Sequence, residues 1–319
     1  MERRAVIDIG SNSVRLIIYK IQEDSTFKVI NEEKRTIRLG SYLTEDNYLA
    51  DQGIDTLINV LKEFKFICKR YEVTDICVVA TEAIRRSINR DDICNKVQVD
   101  LGLKINILSG EEEARYGYLA IKNSMREKDA ILLDLGGSSM EITLMKNGEL
   151  KETISLPLGC IPLTKRFNNI ETEDERIKLN TFIYDTINEI SWLIKNDKMN
   201  VIGIGGIAKH IARVYKEDKD YPKELLHNYS MTIDEISKIY NDFLKLPINE
   251  RSKVKGLSKK RAEIFAAPVG AILSILQYLN SEKLIISAVG LREGIIYENL
   301  KNRLCFKSRL IIDSIKVDK

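Results

Sequence analysis

Only two histidines, His210 and His227, occur in the 319 residues. That count excludes a mechanism built on a histidine pair beside carboxylates and any cluster of histidine metal ligands, so acid–base chemistry falls to carboxylates. Cysteine is also scarce. The five cysteines (Cys68, Cys77, Cys94, Cys160, Cys305) are odd in number and form no C-x-x-C pair, which argues against a disulfide framework or a zinc site and for reduced thiols in a cytosol. No apolar run approaches the ~18 residues that span a bilayer, and the start, Met1 to Asp8, reaches an acid after only three apolar positions. A secretory leader is therefore not expected, and the chain reads as cytoplasmic, without a membrane partner. An excess of one charge is missing too: 50 basic against 47 acidic residues give a net charge of +3. Nucleic-acid binding driven by counterion release is not expected, and an anionic ligand must be met locally. There is no Pro- or Ser-rich linker, the aromatics show no stacking pattern, and the methionines suggest no cofactor box.

What is present is a chain longer than one core usually supports. With 44% hydrophobic and 30% charged residues, two α/β domains of about 120 to 180 residues are the natural expectation. The chain also repeats itself. Ala5-Val6-Ile7-Asp8-Ile9-Gly10-Ser11-Asn12-Ser13 reads as a buried strand and a Gly-containing turn, after which Val14 to Ile21 resumes as a strand. The design returns at Ile131-Leu132-Leu133-Asp134-Leu135-Gly136-Gly137-Ser138-Ser139, with a strand at Glu141 to Met145 and an Asn147-Gly148 turn behind it. Asp8 corresponds to Asp134, Gly10 to Gly136 and Ser13 to Ser139 at one offset. Ile37 to Gly40 is echoed by Leu156 to Gly159, and a helical pattern follows each. In the first, Ile54, Leu57, Ile58, Leu61, Phe64 and Cys68 fall at helical spacing. Ile76 to Ala83 and Val201 to Ala208 are matching strand-to-helix junctions, so each half reads β-β-β-α-β-α-β-α.

A single D-x-G-x-x-S turn is ordinary turn chemistry, but two copies in a duplicated frame suggest a phosphate clamp facing a shared cleft. In each, glycine admits a ligand close to the backbone, and N–H groups and serine hydroxyls can donate to phosphate oxygens. The candidates are Ser11, Asn12, Ser13, Gly136, Gly137, Ser138 and Ser139, with Asp8 and Asp134 placed to hold a divalent cation. Among Glu111, Glu112 and Glu113, Ser109 and Glu112 make a capping box and Glu111 suits the positive helix end. Glu113 is left as the candidate general base, about 100° round the helix from Glu112; a solvated helix acid is the alternative. Arg85 is suited to bidentate phosphate contact at the Ala80–Ala83 junction. Gly203, Gly205 and Gly206 open a turn that admits a nucleotide or phosphate chain, or else simply packs. Arg292 and Glu293, between Gly290 and Gly294, read equally as site or structural pairing. Lys253, Lys255, Lys259, Lys260 and Arg261 read best as a solvated basic run.

With these residues in order, the chain resembles the Ppx/GppA family of exopolyphosphatases and guanosine pentaphosphate phosphohydrolases. The markers are Asp8 to Leu16, Ala80 to Arg85, Leu108 to Ala114, Asp134 to Glu141, and Gly290 to Gly294. The resemblance implies duplicated actin-like ATPase (ribonuclease H-like) domains with an interdomain cleft, and Mg²⁺-dependent hydrolysis of terminal phosphoanhydrides. It marks Glu113 as the catalytic glutamate and the two turns as phosphate loops. Ser138 and Met140 stand where the family carries glycine and threonine. Longer members add a His-Asp type domain, before which this chain stops.

The expected domains are 1–117 with about 297–319, and 118–296, with a terminal helix from about Glu298. The expected reaction is release of terminal phosphate from inorganic polyphosphate and/or pppGpp by metal-assisted in-line attack of water. Glu113 and Arg85 are catalytic, Asp134, Glu141 and Asp8 hold Mg²⁺ or another divalent cation, and Gly205 and Gly206 are nucleotide or chain contacts. An ATP-dependent small-molecule kinase of the same superfold and a non-catalytic (p)ppGpp or polyphosphate sensor are the alternatives. A homodimer is left open.

Overall fold

The structure, a computed structural model, describes residues 2–24, 26–195 and 197–301. Two compact units form, one from the described residues of Met1–Glu112 and Leu291–Lys319, the other Glu113–Gly290. The sequence placed the two crossings five and six residues further on. The first border falls inside a helix, and a continuous helix carries no loop signal at which to divide a chain. Cys305 and most of the terminal helix expected from Glu298 lie outside the described residues.

The first unit opens with three antiparallel strands, β1 (Arg3–Ile9), β2 (Ser13–Ile21) and β3 (Phe27–Thr36). Helix α1 (Asp51–Arg70) leads to β4 (Asp75–Ala80), α2 (Glu82–Arg86) and α3 (Arg90–Leu101) to β5 (Ile105–Ile107). The sheet order is β3-β2-β1-β4-β5, with β4 parallel to both β1 and β5. The helical spacing read for α1 is the buried face: Leu57, Leu61 and Phe64 are wholly inaccessible. Each such side chain contributes about 1.5–3 kcal/mol of burial.

Helix α4 (Gly110–Ser124) carries the chain into the second unit, where β6 (Ala130–Leu135), β7 (Met140–Lys146) and β8 (Glu149–Leu156) repeat the antiparallel start. Asn147 and Gly148, with φ of 54° and 71°, make the β7–β8 turn the sequence predicts. Then follow α5 (Cys160–Arg166), α6 (Glu173–Asn188), β9 (Asn200–Ile204) and α7 (Gly205–Tyr215). Beyond the repeat the unit inserts α8 (Lys223–Leu226), β10 (Tyr229–Thr232), α9 (Ile233–Lys245), α10 (Ile248–Arg251) and α11 (Lys259–Ala262). It then returns to α12 (Ala266–Leu279) and β11 (Lys283–Ile286). Every residue of α12 except Gln277 is buried, as an apolar run without a polar face requires.

The second sheet runs β8-β7-β6-β9-β11-β10. Its first five strands repeat the order of the first sheet, and β10 is an added antiparallel edge. Two duplicated α/β units result, each built on a mixed sheet of the same strand order.

Candidate active site

The duplicated turns are alike to the hydrogen bond. Between β1 and β2 the Gly10 amide donates to the Ser13 carbonyl at 3.2 Å; between β6 and β7 the Gly136 amide donates to the Ser139 carbonyl at 2.9 Å. A Cβ on either glycine would sit 3.2 Å from that same carbonyl oxygen. Close approach, not a left-handed φ, is what calls for glycine there.

The turn carbonyls are occupied from behind. Ser11 O accepts from the Gly40 amide (2.8 Å), and Asn12 O from those of Ile37 (3.2 Å) and Arg38 (2.9 Å). In the second unit Gly136 O accepts from Cys160 (2.9 Å), Gly137 O from Ile161 (2.9 Å) and Ser138 O from Gly159 (3.1 Å). A trans peptide points its N–H opposite to its carbonyl, and the described chain has no cis bond. The anchored carbonyls of Ser11, Gly136, Gly137 and Ser138 thus turn the next amides away from the fold. Among the described residues, the amides of Asn12, Gly137, Ser138 and Ser139 donate to no acceptor. Such a row of outward amides is a ready seat for an anion.

The acids beside the turns differ in company. Asp8 faces Arg15 across β1–β2, and the Arg292 Nε lies 4.0 Å from its Oδ2. Burial pushes the Asp8 carboxyl above its usual range, while Arg292 and Arg15 pull it back and Glu293 adds to the rise. Asp134 instead faces Glu141 across β6–β7, so the two carboxylates share a sheet face. Glu141 is buried and accepts from Ser155 Oγ at 2.7 Å. Gly205, with φ +85°, closes on Asp134: a Cβ there would fall 2.5 Å from Asp134 Oδ1. The glycine keeps clear a carboxylate cradle that any other residue would fill. Mg²⁺ commonly takes one or two carboxylates and completes its shell with water and phosphate. Asp134 and Glu141 fit that demand; Asp8, met by arginines, fits it less well. Among the described residues no group of three or more His, Cys, Asp or Glu side chains gathers for a metal.

Glu112 is spent on the helix start. Its Oε2 accepts from the Ser109 amide at 2.8 Å and its own amide donates to Ser109 Oγ at 3.1 Å, the reciprocal capping box the spacing predicts. Glu111 and Glu112 are exposed and Glu113 is half-buried. Arg85, at the end of α2, donates from Nη1 to Leu108 O at 2.5 Å and from Nη2 to the Glu82 carboxylate. Those bonds fix its guanidinium at the junction after β4.

Arg261 is the residue the sequence reading discounted. Lys253, Lys255, Lys259 and Lys260 are exposed as expected, two of them in surface pairs with Glu250 and Glu217. Arg261 instead turns inward over Gly206, whose Cβ position lies 3.6 Å from Nη2. Burial disfavours its charge, which the nearby Cys160 sulfur offsets in part, and no described group accepts a hydrogen bond from it. The one signal in the sequence was residue type, since a guanidinium tolerates burial better than an ammonium. Gly206 therefore abuts a guanidinium, and Gly205 serves Asp134.

Known proteins match along nearly the whole chain. A crystal structure of the Ppx/GppA family member from Aquifex aeolicus superposes with a TM-score of 0.85 at 32% identity, covering 95% of this chain and 98% of that one. An exopolyphosphatase from Cytophaga hutchinsonii shares the fold, with a TM-score of 0.82 at 20% identity over 94% of this chain and 98% of that one. A bifunctional 3-dehydroquinate synthase/phosphatase of Fusobacterium nucleatum is 30% identical over 314 residues, 94% of this chain. The chain spans about half of that protein, 47% of its length. The sequence profile of the Ppx/GppA phosphatase family matches residues 17–303, and the chain belongs to that family.

Proposed function

We propose that the chain is a phosphoanhydride hydrolase that releases terminal phosphate from inorganic polyphosphate and/or pppGpp. The observation that carries this reading is the pair of duplicated turns, whose carbonyls are anchored from behind and whose amides of Asn12, Gly137, Ser138 and Ser139 have no acceptor in the fold. Membership of a phosphatase family supports it, as does the phosphatase half of the Fusobacterium protein's name.

In this mechanism the turn amides and the serine hydroxyls hold phosphate oxygens, and Arg85 and Arg261 offset their charge. Glu113 accepts a proton from the attacking water. Asp134 and Glu141 would hold a divalent cation, which supplies charge neutralisation at the phosphate oxygens. No helix among the described residues is long and apolar enough to cross a membrane, and a cytoplasmic site with these soluble anions as substrates is part of the proposal.

Phosphate release from polyphosphate of defined lengths and from pppGpp, at micromolar enzyme with Mg²⁺, tests the reading. Release from either is expected. No release with retained binding would favour the sensor, and release only when ATP and a small acceptor are both present would favour the kinase.

A further inference from the structure

Three helices of the second unit meet around a cavity of about 220 Å³ that shares no residue with the proposed active site. Each gives it one i, i+3, i+4 stripe: Arg176, Leu179 and Asn180 from α6; Ser237, Tyr240 and Asn241 from α9; Gly270, Leu273, Ser274 and Gln277 from α12. Leu179, Tyr240, Gly270, Leu273 and Ser274 form its buried floor, Arg176, Asn180 and Ser237 are half-buried at its wall, and Asn241 and Gln277 stand at its exposed rim. The hydrogen-bonding capacity of the polar groups is only partly used within the fold.

The polar groups sort by what they still offer. Ser274 Oγ donates to Gly270 O at 3.0 Å and accepts from Asn180 Nδ2 at 3.2 Å, and that same amide reaches Gln277 Oε1 at 3.5 Å. Those bonds use the acceptor side of Gln277 and leave its amide nitrogen. Arg176 spends one nitrogen on Glu171 O at 2.6 Å, while the Glu171 carboxylate is held by Arg251 at 2.5 Å. The remaining guanidinium nitrogens have no described acceptor, nor has the Tyr240 hydroxyl, nor the side chains of Ser237 and Asn241. Burial pushes the Tyr240 phenol up to about 12, so it stays a donor. Gly270 lets that hydroxyl come down onto α12: a Cβ there would stand 2.8 Å from Tyr240 Oη and 2.8 Å from Leu179 Cδ2.

Arg176 is the one charged group in the lining, which holds no carboxylate, and neutral hydroxyls and amides with donors to spare surround it. A metal ion or an amine would find no charge to meet it. The volume is room for roughly seven waters, below the ~300 Å³ at which pockets begin to take drug-sized ligands, so the part of a ligand it encloses is compact. We propose that this cavity is a second ligand site, which takes a compact oxyanion: a small phosphate- or carboxylate-bearing metabolite. Arg176 pairs with the anionic group, Tyr240 and Ser237 donate to it, and the amides of Asn241 and Gln277 meet the remainder.

Titration of the full chain with inorganic phosphate, 2-phosphoglycolate and malonate, followed by the NMR side-chain amide signals of Asn180, Asn241 and Gln277, tests this. Saturable shifts are expected with one or more of the three. Phosphate probes alone would assign phosphate esters, and malonate as well would extend the class to carboxylates. Arg176→Gln should weaken binding at least tenfold, and Tyr240→Phe severalfold. The second variant keeps its ring in the core, so it carries the test if the first fails to fold. Neither should alter hydrolysis. Absence of saturable shifts with all three probes overturns the proposal. So do shifts of equal affinity in wild type and both variants, which would report anion bound elsewhere.

Discussion

Asp134 and Glu141 face each other across β6–β7, whereas at the corresponding register of β1–β2 Asp8 faces Arg15. Duplication preserved the turns and exchanged one carboxylate for a guanidinium. The expected outcome is an asymmetric dependence on metal. Asp134→Asn should lose hydrolysis, on the order of 10²- to 10³-fold, and its residual activity should respond little to added Mg²⁺. Asp8→Asn should be impaired with its Mg²⁺ response retained. Phosphate release against Mg²⁺ concentration measures both; an Asp134→Asn enzyme with the wild-type Mg²⁺ curve would remove the metal from this pair.

The two adjacent glutamates separate by the same logic. Glu112 is tied to Ser109 in the capping box, so Glu112→Gln should cost a few tenths to ~1 kcal/mol of stability and little turnover. Glu113→Gln should abolish hydrolysis with polyphosphate binding kept within a few-fold, because the amide has the shape but cannot take the proton. Thermal melts and single-turnover assays on both distinguish them, and the reverse pattern would mean that the base is misassigned.

How far these roles were legible in the sequence depends on what sets them. The turns, the hairpin register and the α1 face follow from period and glycine placement, which are local. So does the capping box. The insertion from α8 to α11 has no counterpart in the first half, so duplication could not anticipate it. Arg261 was missed because its inward path depends on α11 packing against α7, a contact between residues far apart in sequence that looks like one more positive charge. Gly205 was read as a ligand contact or else a packing glycine, and its tie to Asp134 comes from β6 and β9 lying side by side.

Ser138 illustrates a departure that the fold absorbs. It stands where the family carries glycine, which suggests a restricted turn, yet it is not among the described residues with positive φ. The demand for a missing Cβ falls on Gly159, where one would clash with the Ser138 and Gly137 backbone. Ser138→Gly should therefore change the Michaelis constant by less than about threefold and destabilise by at most ~1 kcal/mol. Gly159→Ala should displace the loop and cut kcat/KM more than tenfold. A kinetic comparison showing the opposite ranking would reassign the constraint.

The buried thiols should be chemically silent. Burial pushes Cys160 up to about 12 against the pull of Arg261, and Cys68 and Cys77 up to about 11. At pH 8 the thiolate fraction of Cys160 is then about one in ten thousand. Iodoacetamide on the native protein should leave Cys160 unmodified by mass spectrometry and activity unchanged, whereas the denatured chain should label fully.

Arg261 sets stability against function. It lies over Gly206 with no described acceptor, and burial disfavours its charge. A half-buried charge with no described acceptor adds little to the stability of a fold, and an anionic ligand would complete it. Arg261→Gln should therefore raise the melting temperature or leave it unchanged, while the Michaelis constant rises about tenfold or more and kcat falls less. Added polyphosphate should stabilise the wild type by several degrees through binding to the native state, and the variant by much less. Arg261→Lys should not restore the constant, because an ammonium lacks the planar fork that grips two phosphate oxygens. Melting curves with and without polyphosphate, set beside steady-state kinetics, measure both sides. A variant that melts lower but binds normally would make Arg261 a packing residue of α11 and withdraw it from the mechanism.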